Sequence, residues 1–249
     1  MKKIENICYS DIGHPAQKLD LYLPEAESFP IFVYFHGGGI ESGDKADVET
    51  MITYLLKKRI AVASVNYRMY PTAVYPEFIR DAAASVAWVR QNIEQYGSCT
   101  GIFVGGSSAG GYLSMMLCFD KKYFAPFGFL PTELAGFVHD AGQPTCHFNV
   151  LRERGLDSRL VVVDESAPMF HIGREPEYAP MQFIVSDDDM ENRYEQTMLM
   201  LSTLKHFGYQ NYDCKLMHGT HCQYVGEMYE NGESILGKIV YEFIQKTLA

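Results

Sequence analysis

The sequence has no run rich in lysine and arginine, and its 21 basic residues are outnumbered by 31 acidic ones, for a formal net charge of −10. Such a balance is poorly suited to binding nucleic acid or an anionic membrane surface. No segment approaches the roughly 18 apolar residues that a transmembrane helix needs, so no membrane partner is expected. The opening Met1-Lys2-Lys3-Ile4-Glu5-Asn6 starts basic. Glu5, Asn6, Ser10 and Asp11 interrupt any apolar stretch behind it, and no signal peptide is expected. The six cysteines (Cys8, Cys99, Cys118, Cys146, Cys214 and Cys222) form no CxxC pair and no metal-ligand spacing. They read as reduced thiols of a cytoplasmic protein with no metal site. Internal repeats and low-complexity linkers are absent as well.

What is present is apolar: 47% of the 249 residues are hydrophobic, enough for a substantial core. One domain over 1–249 is expected. Buried strands are read at Ile31–Phe35, Ile60–Val65, Gly101–Val104, Leu134–Val138, Met181–Val185 and Tyr212–Met217. Helical spacing is read at Lys45–Arg59, Asp81–Tyr96, Tyr112–Phe119, Asn192–Phe207 and Ser234–Leu248. Strands alternating with helices predict an α/β fold, a mostly parallel sheet with helices on both faces. Asp140–Pro180 holds Pro144, Pro168, Pro176 and Pro180 and no long periodic element. It reads as an excursion over the sheet that forms one wall of a pocket.

The strongest chemical signal is Gly105-Gly106-Ser107-Ser108-Ala109-Gly110-Gly111. It sets Gly106-x-Ser108-x-Gly110 directly after an apolar strand and directly before a helix, the context of a nucleophile elbow. Glycines two residues either side of Ser108 remove Cβ atoms that would collide in so sharp a turn. Ser107 is the rival serine but lacks glycines at both offsets. The second signal is His36-Gly37-Gly38-Gly39, where consecutive glycines let backbone N–H groups approach a developing oxyanion. No Lys-Ser/Thr follows and there is no GxGxxG spacing, so a nucleotide cofactor is not expected.

With these motifs the chain resembles the hormone-sensitive-lipase-like carboxylesterase branch of the α/β-hydrolases. Val65-Asn66-Tyr67-Arg68-Met69-Tyr70-Pro71 is similar to that family's DYRLAPE segment. Tyr75-Pro76, Asp81-Ala82-Ala83-Ala84 and Trp88-Val89 are similar to the stretch that follows it, and Ser166-Ala167-Pro168-Met169 to a segment before the acid-bearing strand. The chain departs from the family at Ser107, where Asp is usual, and at Ile40, where Trp or Phe is usual. It also lacks a long N-terminal cap, which implies an open, shallow site.

The resemblance implies a Ser, acid, His order. The family spacing puts the acid at Asp189, with Asp187, Asp188 and, more remotely, Asp164 as alternatives. It puts the base at His221, with His218 as alternative, and the oxyanion hole on the backbone of Gly38, Gly39 and Ala109. Repulsion among three adjacent carboxylates argues that only one of Asp187–Asp189 turns inward. The activity implied is hydrolysis of small-molecule carboxylic esters with short acyl chains, through an acyl-enzyme and with no cofactor. Deacetylation of sugars, aryl formamide hydrolysis or small-peptide hydrolysis on the same residues is the alternative, and an inactive binding module the remote one. A homo-oligomer is left open.

Overall fold

The computed structural model describes residues 2–249. An eight-stranded sheet runs through it: β1 (Lys2–Cys8), β2 (Lys18–Leu23), β3 (Ser28–Phe35), β4 (Ala61–Val65), β5 (Ser98–Ser107), β6 (Gly136–Asp140), β7 (Met181–Asp188) and β8 (Tyr212–Thr220). Their order across the sheet is β1-β2-β4-β3-β5-β6-β7-β8. β1, β2 and β4 pair antiparallel, and every other pairing is parallel. The helices are α1 (Glu49–Lys57), α2 (Glu77–Asn92), α3 (Ala109–Phe119), α4 (Phe148–Glu153), α5 (Arg193–His206) and α6 (Ile235–Leu248).

β3 shows why the central strands read as continuous apolar runs. Ile31, Val33 and Phe35 enter the core under α2, α3 and α5, while Phe32 and Tyr34 enter the core under α1 and α6. A parallel strand covered on both faces has no polar side to show. The mostly parallel α/β architecture is therefore as expected. β1 and β2 lie outside the strands read from the sequence: β1 is exposed or half-exposed along its whole length, so its residues carry no apolar signal. Several elements also begin or end beyond their apolar stretch. β5 starts at Ser98 and runs into the elbow at Ser107, β7 runs on to Asp188, and α2 starts at Glu77, directly after Pro76.

The chain leaves β3 towards β4 on one side and returns to β5 on the other. This reversal opens a crevice at the carboxyl ends of β3 and β5, where α/β sheets hold their ligands. The glycine-rich loop after β3 and Ser108 after β5 both lie there. The Asp140–Pro180 excursion contains α4 and is tied back to the body by Tyr75 Oη donating to Glu165 O at 3.0 Å and Tyr112 Oη to Ser166 O at 2.8 Å.

Candidate active site

Ser108 stands between β5 and α3 with φ 57° and ψ −113°. Such a conformation costs energy in a non-glycine residue and persists only where its surroundings impose it. The glycines around it have a measurable reason. A Cβ on Gly110 would lie 2.0 Å from the carbonyl oxygen of Phe35 and 2.6 Å from its carbonyl carbon. The elbow can therefore press onto the end of β3 only with glycine at that position. Gly38 has φ +105°, and a Cβ there would meet Ser42 O at 2.1 Å.

His221 arrives on the turn after β8. Its Nε2 lies 2.8 Å from Ser108 Oγ, and its Nδ1 lies 2.5 Å from Asp189 Oδ1. With a proton on Nδ1 facing the carboxylate, Nε2 is left as the acceptor facing the serine. Asp189 follows β7, and its side chain is 0% exposed. Burial alone would raise its pKa, but the hydrogen bond and electrostatic attraction of His221 and the Met190 amide at 2.7 Å bring it below the ordinary value. The carboxylate stays ionised beside the ring.

The structure thus brings Ser108, His221 and Asp189 together and leaves the alternatives elsewhere. Asp187 binds His218 Nδ1 at 2.5 Å and the Gly219 amide at 3.1 Å, and the His218 side chain is 90% exposed. Asp188 faces solvent, and Asp164 pairs with Arg154 at 2.6 Å. Ser107 is buried, and its hydroxyl is engaged by Tyr34 and Asp140.

Gly38 and Gly39 border the cavity beside Ser108. Ala109 opens α3, whose first amides have no partner within the helix. The loop is held from two sides. Tyr67 Oη donates to His36 O at 2.9 Å, and Asn149 Nδ2 donates to Gly39 O at 2.8 Å. His36 stacks on Tyr67 with ring centroids 4.6 Å apart, and burial lowers its pKa and keeps it neutral.

The cavity measures about 450 Å³, and Val48, Phe148, Met190 and Val225 form its apolar walls. Phe148 and Asn149 belong to α4, inside the excursion. The wall expected from the Asp140–Pro180 excursion is supplied there by Phe148. Nothing in the sequence marked either residue. Among the described residues no group of three or more His, Cys, Asp or Glu side chains is gathered to hold a metal, and no helix is long and apolar enough to cross a membrane.

A mostly parallel sheet with this crossover, a serine on a strained strand-to-helix turn and a buried Asp–His pair facing it give the chain the architecture of an α/β-hydrolase. The chain belongs to the BD-FAE family, whose pattern matches residues 19–151, more than half of the sequence. It is 32% identical over 112 residues to a probable isoprenylcysteine alpha-carbonyl methylesterase, ICMEL2, of Arabidopsis thaliana, covering 44% of this chain and 26% of that one. It is 36% identical over 96 residues to esterase LipI of Mycobacterium tuberculosis, covering 38% of this chain and 30% of that one. These matched stretches span less than a third of either relative. Over 99% of this chain and 86% of the other, the fold superposes on esterase B of Lactobacillus Rhamnosis with a TM-score of 0.80 at 19% identity. The family resemblance read from the motifs is in accord with these matches.

Proposed function

We propose that the protein is a serine hydrolase that cleaves small carboxylic esters through an acyl-enzyme. The observation that carries this reading is the unbroken contact chain from Ser108 Oγ to His221 Nε2, 2.8 Å, and from His221 Nδ1 to Asp189 Oδ1, 2.5 Å. Ser108 attacks the ester carbonyl as His221 takes its proton. Asp189 holds the ring's orientation and offsets the charge of the imidazolium. Amides of Gly38, Gly39 and Ala109 receive the oxyanion. His221 then protonates the departing alcohol, and water, activated by the same base, releases the acid and restores Ser108. The chemistry asks for no cofactor.

A cavity of about 450 Å³ lined by Phe148, Met190 and Val225 suits a short acyl chain. The six cysteines are all unpaired, which supports a reducing compartment such as the cytoplasm. The test is covalent labelling with a fluorophosphonate together with turnover of p-nitrophenyl acetate. Ser108→Ala should abolish the label and lower kcat by about 10⁴-fold or more. A Ser108→Ala protein that still takes the label, or still turns over, overturns the reading. A panel of p-nitrophenyl esters, acetylated sugars and an aryl formamide then ranks the substrate classes.

A further inference from the structure

Asp140 closes β6, between the strand that carries Ser108 and the strand that leads to Asp189. It touches neither the histidine–aspartate contact nor the serine hydroxyl, yet four interactions run from it and its neighbour into the three catalytic turns. Its carbonyl oxygen accepts from the Ser108 amide at 2.8 Å. Its carboxylate accepts from the Ser107 hydroxyl on one oxygen and from the Tyr224 hydroxyl on the other. Tyr224 lies on the short turn Gln223–Val225, just past His221. The next residue, Ala141, accepts on its carbonyl from the guanidinium of Arg193, which opens α5 immediately after the Asp189 turn.

These partners are buried: Asp140 is 1% exposed, Tyr224 2%, Ser107 3% and Arg193 5%. They sit beside strained backbone. Ser108 has φ 57°, Ala141 φ 48° and Cys222 φ 55°, all in the left-handed region without being glycine. Such conformations cost energy and persist only where neighbours over-determine them. Asp140 and Ala141 are bonded to the nucleophile turn, to the turn after the histidine and to the helix after the acid.

We propose that the Asp140–Ala141 pair at the end of β6 is the positioning hub of the active site, with Tyr224 as the arm that sets the histidine turn against Ser108. Its members touch no substrate. They act by fixing the distance between groups that come from three separate strands. The proposal rests on Ser108, His221 and Asp189 being the catalytic residues. Tyr224→Phe removes one hydroxyl, leaves the ring and its packing, and so tests positioning apart from folding.

The experiment measures kcat and KM for p-nitrophenyl acetate, and the thermal midpoint, for Tyr224→Phe alone and in a His221→Ala background. A misplaced base costs turnover, so kcat should fall about 10- to 100-fold with KM within about twofold. In the His221→Ala background, Tyr224→Phe should cost nothing further, because residues that act through one another are non-additive. A Tyr224→Phe enzyme within about twofold of wild-type kcat overturns the proposal, as does an equal fractional loss in both backgrounds, which marks general structural damage. The background also separates the two readings. A His221→Ala protein as active as wild type defeats the catalytic assignment itself. An inactive His221→Ala beside a fully active Tyr224→Phe defeats the hub alone.

Discussion

Replacing Asp140 by Asn should change the pH dependence of stability in a direction fixed by the burial of its carboxylate. Asp140 is 1% exposed. Burial pushes its pKa up from 3.8 to about 6, even though the Ser107 and Tyr224 hydroxyls pull it down. The folded state therefore holds this proton more tightly than the unfolded state. Between about pH 4 and pH 6 the unfolded chain has already released the proton while the folded chain retains it, so the group's contribution to stability falls as pH rises. About two pKa units correspond to about 3 kcal/mol, present below pH 4 and gone above pH 6. The amide introduced by Asp140→Asn does not titrate in this range. The unfolding free energy of wild type minus that of Asp140→Asn should decline by up to about 3 kcal/mol across this window, whatever the constant offset between the two proteins. Asp189, whose pKa is lowered, has the opposite dependence and is present in both proteins, so the difference reports chiefly Asp140. Urea unfolding at several pH values, followed through the single tryptophan and by circular dichroism, measures it. Parallel stability curves, or a difference that grows with pH, would refute the argument.

Two further outcomes follow from distances at the site. Gly110→Ala places a Cβ 2.0 Å from Phe35 O and 2.9 Å from His36 O, so the elbow must move off β3. Overpacking of this kind costs about 1–3 kcal/mol, and the displacement should also cut kcat by about 100-fold. Wild-type thermal stability and fluorophosphonate labelling in Gly110→Ala would contradict the stated contact. Phe148→Ala opens a wall of the cavity and should shift the best acyl chain from acetate or butyrate towards octanoate. The gain should be below the full value of about 0.8 kcal/mol per buried CH₂. An unchanged ratio of kcat/KM across the ester series would remove Phe148 from the acyl pocket.

The parts of this molecule that were legible in its sequence are those where backbone geometry restricts side-chain choice. The elbow could be read because only glycine survives at 2.0 Å from a carbonyl oxygen, so the collision itself is written at Gly110. The central strands could be read because burial on both faces leaves only apolar residues. β1 could not, because none of Lys2–Cys8 is buried. Asp187, Asp188 and Asp189 are one residue type at consecutive positions at the end of β7, and local chemistry does not rank them. Family spacing pointed to Asp189. In the structure its side chain is the one closed off from solvent, while Asp187 turns to the exposed His218. Phe148 and Asn149 lay within a stretch without periodicity, and their contacts reach back to the glycine loop across 110 residues. Tyr224 meets Asp140 across 84 residues. A hydroxyl paired with a carboxylate at that separation leaves no local trace in either segment.

β8 lies at the margin of the sheet, with β7 as its one neighbour and most of its side chains in contact with water. On the proposed mechanism the base, His221, is therefore carried by a peripheral strand and the nucleophile, Ser108, by a central one. A fluctuation that lifts the margin separates the two while the cores on either side of β3 and β5 stay packed. Local opening needs less free energy than global unfolding. On that mechanism activity is therefore lost before the fold is: a population still largely native by its helical signal would already contain a fraction in which the histidine has left the serine.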